Sequence, residues 1–193
     1  MTTDEQAILD QLNADDWALL YRCRWSQPDA DRVVPQLAKL LDSNAPEIRQ
    51  EALRALFRIG TPAAPAAQRV AELTRTEDPL TRRLAVLALG QIAHTIPDVC
   101  VHPLASTLSG PECCRDALRV LAFIGGEAKT AIDQVKPLFD SADAKVRKAA
   151  VVAAASIDPS NPEVFALLRK ATKDRSRIVR TAASKCLQAG ETD

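Results

Sequence analysis

Residues 47–60, EIRQEALRALFRIG, carry apolar side chains at helical spacing, with charged residues between them. KVRKAAVVAAASID at 145–158 and RIVRTAASKCLQAG at 177–190 follow the same plan. Aligning Arg49, Arg82, Cys114, Arg147 and Arg180 in one column gives intervals of 33, 32, 33 and 33 residues. Three positions later the column reads Ala52, Ala85, Ala117, Ala150 and Ala183; at seven it reads Leu56, Leu89, Leu121, Ala154 and Leu187. At ten stand Ile59, Ile92, Ile124, Ile157 and Gly190. Offsets of three, seven and ten recur at the helical period, so these positions share one buried face. The invariant alanine marks a close approach between helices.

A second, less regular helix is predicted upstream of each copy: DRVVPQLAKLLD, AAQRVAELTR, DVCVHPLASTL, AIDQVKPLFD and PEVFALLRKATK. Prolines near several of their starts suit an early helical turn, where the missing N–H is not needed. Short turns, SNAPE, TEDP, SGPE and SADA, join first helix to second, and Gly60 and Gly125-Gly126 break the chain after it. Such a hairpin cannot bury its apolar side alone, so neighbours must stack. The expectation is an all-α fold: an α-α superhelix, a right-handed solenoid of stacked antiparallel hairpins. Its expected layout is one domain over residues 1–193, with an N-terminal helical cap at 1–30 and five repeats at 31–190.

The pattern resembles HEAT repeats, in particular a short bacterial form with an acidic turn, V-R-x-x-A and a later I-G. The residues that carry the resemblance are Asp143, Val146, Arg147 and Ala150; Ile178 or Val179, Arg180 and Ala183; and Ile48, Arg49, Ala52, Ile59 and Gly60. It departs at the third repeat, where Cys114 takes the arginine position and the hairpin turn is shortened. The resemblance implies that a column arginine engages a neighbouring turn aspartate, a role open to Asp78, Asp143 and Asp174. Contact with a partner is the alternative role for these arginines. Other relatives of the short form attach bilin chromophores, but no separate motif for bilin handling is present.

TDEQAILDQLN and DDWALLYRCRW suggest the two helices of the cap, with Trp17, Tyr21 and Trp25 in one aromatic stripe. Such a stripe suits the end of a stack, and ligand or peptide contact is the alternative. The interior has few aromatics to draw on: apolar residues are 47% of the 193, and only seven residues are aromatic. Ala, Leu, Val and Ile must fill it, which favours closely spaced helices over a sheet. No secretion signal is evident, and no apolar run approaches the roughly 20 residues of a membrane span, so a cytoplasmic location is expected.

Few residues are suited to chemistry. The five cysteines, Cys23, Cys100, Cys113, Cys114 and Cys186, form no C-x-x-C pair, and His94 and His102 are the only histidines. Their order with Cys100, Cys113 and Cys114 matches no standard zinc spacing, and no nucleophile motif surrounds a cysteine. Phosphate-loop, dinucleotide and H-E-x-x-H patterns are missing, as are the histidine-glutamate pairs of the iron-dependent hydroxylases built on similar repeats. No metal, cofactor or catalytic residue is assigned, and a non-enzymatic protein is expected.

Two surfaces are candidates for binding. If the second helices line the concave side, as in the resembling family, their outward residues lie five and nine positions past the arginine column. A peptide-binding groove would then comprise Arg54, Arg58, Leu87, Gln91, Arg119, Phe123 and Val152, an apolar strip flanked by arginines that attract acidic residues. A different helix rotation would return Leu87, Phe123 and Val152 to the core. The second surface is the basic patch Arg169, Lys170, Lys173, Arg175, Arg177 and Arg180. Net charge is zero, yet residues 1–31 sum to minus five and residues 136–185 to plus six. A protein or peptide partner is the leading expectation, with nucleic-acid backbone binding through the basic repeats, or the chromophore-lyase-like activity that the resemblance implies, as the alternatives. No membrane partner is expected, and oligomeric state stays open.

Overall fold

The computed structural model describes residues 27–190. Among them every regular element is helical. The chain divides into two compact units, Met1–Cys100 and Val101–Asp193, and the division falls within one helix. The expected cap helices and the stripe of Trp17, Tyr21 and Trp25 lie outside the described residues, whereas 27–30, assigned by the sequence to the cap, already belong to the first described helix.

In the first unit, α1 (Gln27–Leu40) turns into α2 (Pro46–Ile59). A 3-10 segment (Thr61–Ala66), the short α3 (Ala67–Glu72) and a further 3-10 turn (Leu73–Arg75) then lead to α4 (Pro79–Ile92). α2 packs on α1 and α4, and α3 packs on α4. α5 (Pro97–Ser106) holds the division between the units and ends in a 3-10 turn (Thr107–Ser109). The second unit continues with α6 (Cys114–Ile124), 3-10 (Gly125–Ala131), α7 (Ile132–Val135) and 3-10 (Lys136–Asp140). α8 (Ala144–Ile157), α9 (Pro162–Ala171) and α10 (Arg177–Gly190) complete it. There α8 is the central helix, packed on α6, α9 and α10.

Local chemistry explains where the helices start and stop. Pro46, Pro79 and Pro162 open α2, α4 and α9, where no N–H is required. Asp78, Asp143 and Asn161 cap α4, α8 and α9 by accepting from the backbone N–H of Thr81, Lys145 and Glu163. Gly60 and Gly125 end α2 and α6 at φ of 73° and 67°, where a side chain would be strained. Prolines also account for the broken first helices of the second and fourth hairpins. Pro65 and Pro137 sit inside their 3-10 segments, and a ring that lacks an N–H and crowds the preceding turn disfavours a regular α-helix. The continuous helix expected over AIDQVKPLFD therefore reduces to one α-helical turn flanked by 3-10 segments.

The alanine column forms the centre of each core. Ala52, Ala85, Ala117, Ala150 and Ala183 are all 2% exposed or less, and Leu56, Leu89, Leu121 and Ala154 join them. The pattern loosens at two points, since Ile124 and Leu187 are only half-buried. In the third hairpin α6 has 11 residues where α2, α4, α8 and α10 have 14. Residues 111–113 form a turn instead of the first helical turn, and Cys114 opens the helix.

Candidate functional site

The column arginines point into their own hairpin turns. Arg49 donates to the Ser43 carbonyl at 2.6 Å, Arg82 to Glu77 at 3.1 Å, and Arg180 to Asp174 at 2.8 Å and Arg175 at 3.1 Å. Arg147 donates to the carbonyls of Ser141 and Ala142 at 2.8 and 3.0 Å. These carbonyls lie where the chain reverses, and a guanidinium presents enough donors in one plane to satisfy several at once. Cys114 has no such donors, which accounts for the different turn before α6.

Of the three turn aspartates, Asp174 makes the expected pairing with a column arginine. Arg147 Nε and Nη2 reach the two Asp174 oxygens at 2.8 and 2.9 Å, a bidentate pair between α8 and the turn before α10. The Arg147 side chain is 5% exposed and that of Asp174 13%. The hydrogen bond from Arg147, supported by the Ser176 backbone N–H, lowers the Asp174 carboxyl to about 2. Asp78 instead accepts from Gln50 Nε2 at 3.1 Å and from the hydroxyl of Thr81. Asp143 caps its own helix, and the matching column position on the preceding hairpin holds Cys114, whose thiol is raised by burial and by the Asp143 charge. The expectation for Asp78 and Asp143 is corrected accordingly. A helix N-terminus captures each carboxylate, and opposite Asp143 the guanidinium is missing altogether.

The proposed groove residues fall into two sets, one in each unit. In the first, Arg54 is part-exposed and paired with Glu51 at 2.5 Å, Arg58 and Gln91 are exposed, and Leu87 is half-buried. In the second, Phe123 is 64% exposed, Val152 37%, and the Arg119 side chain 79%, the last lying 3.9 Å from Asp116. Phe57, 39% exposed, was not singled out by the fixed offsets.

The six residues of the basic patch have separate roles. Arg180 closes its turn, and Arg175 reaches the Ala142 carbonyl at 3.4 Å. Lys170 pairs with Asp140 at 3.0 Å, and Arg169 lies over the Phe165 ring at 5.9 Å. Arg169, Lys170 and Lys173 line a recess of about 560 Å3 floored by Phe139, Leu167 and Val179 and shared with Asp140 and Asp174. Lys173 and Arg177 are exposed. Two carboxylates thus stand among the cations at that end.

The residues considered for chemistry do not converge. His94 is exposed in a turn and His102 is exposed on α5, while Cys100 is buried on that same helix. Among the described residues, no group of three or more His, Cys, Asp or Glu is arranged to hold a metal ion. No helix there is long and apolar enough to cross a membrane.

Known proteins give a consistent likeness. The family model for HEAT repeats matches residues 34–108. A designed armadillo repeat protein in complex with the peptide (KR)4 is 20% identical, with a TM-score of 0.73 over 98% of this chain and 100% of its own. The chain has a HEAT/armadillo-like repeat fold. A crystal structure of an engineered protein is 18% identical, with a TM-score of 0.71 over 100% of both chains. One of a set of computationally designed armadillo repeat proteins for modular peptide recognition reaches 0.69 at 20% identity, over 95% of this chain and 98% of its own. No curated protein matches the sequence significantly. The likeness is to the HEAT/armadillo-like fold as a whole and does not single out the short bilin-lyase-like form.

Proposed function

We propose that this protein is a non-enzymatic scaffold that binds a peptide or protein segment on the exposed side of its second helices, the side read from the sequence as concave. The observation that carries this reading is the outward placement of Phe123 and Val152 on the same helices whose alanines fill the core. A large aromatic ring left 64% exposed is a costly surface unless contact with a partner removes it from water. Arg119 stands one helical turn from Phe123, so apolar anchoring and charge recognition adjoin. In the first unit Arg54, Arg58, Leu87 and Gln91 hold the equivalent offsets and supply a second part of the same kind of surface. Structural likeness to armadillo proteins designed for modular peptide recognition supports a binding role.

A displayed library of random peptides, selected against the purified chain, tests the proposal. The Kd of an enriched peptide is then compared between the wild type and a Phe123→Ser/Val152→Ser variant whose helicity and melting temperature are unchanged. The expected loss is about tenfold or more, as for truncation of an apolar anchor. An unchanged Kd, or the failure of any peptide to enrich, would overturn it.

A further inference from the structure

The second unit separates its charges by side. Its first helices and inter-helix turns hold acids and bases in pairs: Lys136 with Asp133 and Glu163, Lys129 with Asp158, and Lys170 with Asp140. On the second helices the balance is different. Neither α8 nor α10 contains an acidic residue, and Asp116 of α6 is mostly covered. Arg115 and Arg119 are exposed one turn apart on α6, and Lys148 and Lys185 are exposed on α8 and α10. Among the described residues no ion pair joins Arg115, Lys148 or Lys185 to an acid.

These cations occupy repeating positions. Arg115 and Lys148 each follow the column residue of their helix by one place, and Arg119 and Lys185 follow theirs by five. Val152 takes the fifth place on α8 and Phe123 the ninth on α6. Since α8 packs on both α6 and α10, the three helices present one surface, with exposed cations on each helix and these two apolar side chains among them. Packed helix axes lie about 8–10 Å apart. An extended chain advances about 3.3 Å per residue, so three residues span one helix-to-helix step.

We propose that this surface binds an acidic peptide in extended conformation, with Asp or Glu at every third position and one large apolar residue set against Phe123 and Val152. The proposal rests on the scaffold reading above and names the partner's chemistry. Charge complementarity selects the acid, because a basic segment would meet Arg115, Lys148 and Lys185, which no acid among the described residues offsets. The two apolar side chains favour a peptide over a nucleic-acid backbone, whose continuous row of phosphates would leave Val152 without a partner. The contrast with the designed armadillo protein bound to (KR)4 is one of sign on a similar fold.

The test is fluorescence anisotropy with the full chain and three labelled probes. They are a twelve-residue peptide with Glu at every third position and one Leu, the same peptide with Lys for Glu, and a single-stranded oligonucleotide. The acidic peptide is expected to bind more tightly than the basic one by about tenfold or more, and to weaken about tenfold in a folded Lys148→Glu/Lys185→Glu variant. Replacing its Leu by Ser is expected to weaken binding to a similar extent. Tighter binding of the oligonucleotide, or equal binding to the wild type and the Glu variant, would overturn the acidic-peptide assignment. If the acidic peptide fails while a library-selected peptide of other composition binds in a Phe123-dependent way, this assignment falls and the scaffold reading stands. If no peptide binds at all, both fall.

Discussion

Replacing Asp174 by asparagine removes one charge from the clamp between the fourth and fifth hairpins while keeping its shape. Asparagine can still accept the Ser176 N–H through its side-chain oxygen, and Arg147 keeps the carbonyls of Ser141 and Ala142. Its amide nitrogen cannot accept from Arg147, so the measured loss reports the ionic pair together with one of its two hydrogen bonds. Both side chains are largely shielded from solvent, at 5% and 13% exposure, so the near-zero worth of exposed pairs does not apply. Hydrogen bonding by Arg147 takes the Asp174 carboxyl from an ordinary 3.8 to about 2. A difference of that size corresponds to about 2 kcal/mol of folding free energy at neutral pH. Because the folded-state value lies below the unfolded one, this stabilisation is complete above about pH 4 and is lost as pH falls through about 2.

The assay is urea denaturation followed by far-ultraviolet circular dichroism, on wild type and Asp174→Asn, at pH 7, 4, 3 and 2. Carboxylates common to both proteins cancel in the difference, leaving the contribution of Asp174. The expected gap is about 2 kcal/mol at pH 7, closing as the pH approaches 2. Hydrogen exchange at neutral pH should localise the weakening to 162–190, the hairpin that the clamp holds. A gap below about 0.5 kcal/mol at pH 7, the scatter of ordinary surface substitutions, would refute the reasoning. So would a gap that stays constant down to pH 2, since charge would then not be its source.

Two further outcomes are expected from the core. Ala150→Leu places three extra carbons at a fully buried site on the helix packed between α6 and α10, and should cost about 1–3 kcal/mol. Ser156→Leu on the exposed side of that helix should stay within about 0.5 kcal/mol, and equal melting temperatures for the two variants would remove the close-approach explanation of the alanine column. Burial pushes the Cys100 thiol up to about 11, and Cys113 and Cys114 are also buried, whereas Cys186 is half-buried. In a Cys23→Ser background a thiol reagent at pH 8 should therefore modify Cys186 first, with the other three reacting only on denaturation. Native-state modification of Cys100 at its unfolded rate would contradict the packing of α5.

Much of the fold was legible because helical periodicity is local. A side chain's face on a helix follows from its position modulo 3.6, and five copies at nearly constant spacing make the buried face visible without any knowledge of the neighbours. The alanine column and the glycines that end α2 and α6 are of this kind. The outward offsets that locate Phe123, Val152 and Arg119 come from the same periodicity. Proline effects are equally local, although how far Pro137 breaks up AIDQVKPLFD depended on the chain around it.

Tertiary structure decided which of several equivalent groups meet. Asp78, Asp143 and Asp174 occupy similar turns, yet only Asp174 receives a column arginine, because helix N-termini compete for the other two and Cys114 stands opposite Asp143. The basic patch was a run of cations in the sequence. In space Lys170 finds Asp140, 30 residues away, and Arg180 turns to carbonyls of its own loop. Among the described residues Arg115, Lys148 and Lys185, on the second helices of that unit, have no acid paired with them, since α8 and α10 carry no acid and Asp116 of α6 lies beside Arg119. Sequence by itself determined the repeating helices, their buried faces and the glycines that end two of them, all set by neighbours within a few residues. Pairing between residues about 30 positions apart depends on distances that exist only once the hairpins stack, and that decided where charge is neutralised and where it remains available to a partner.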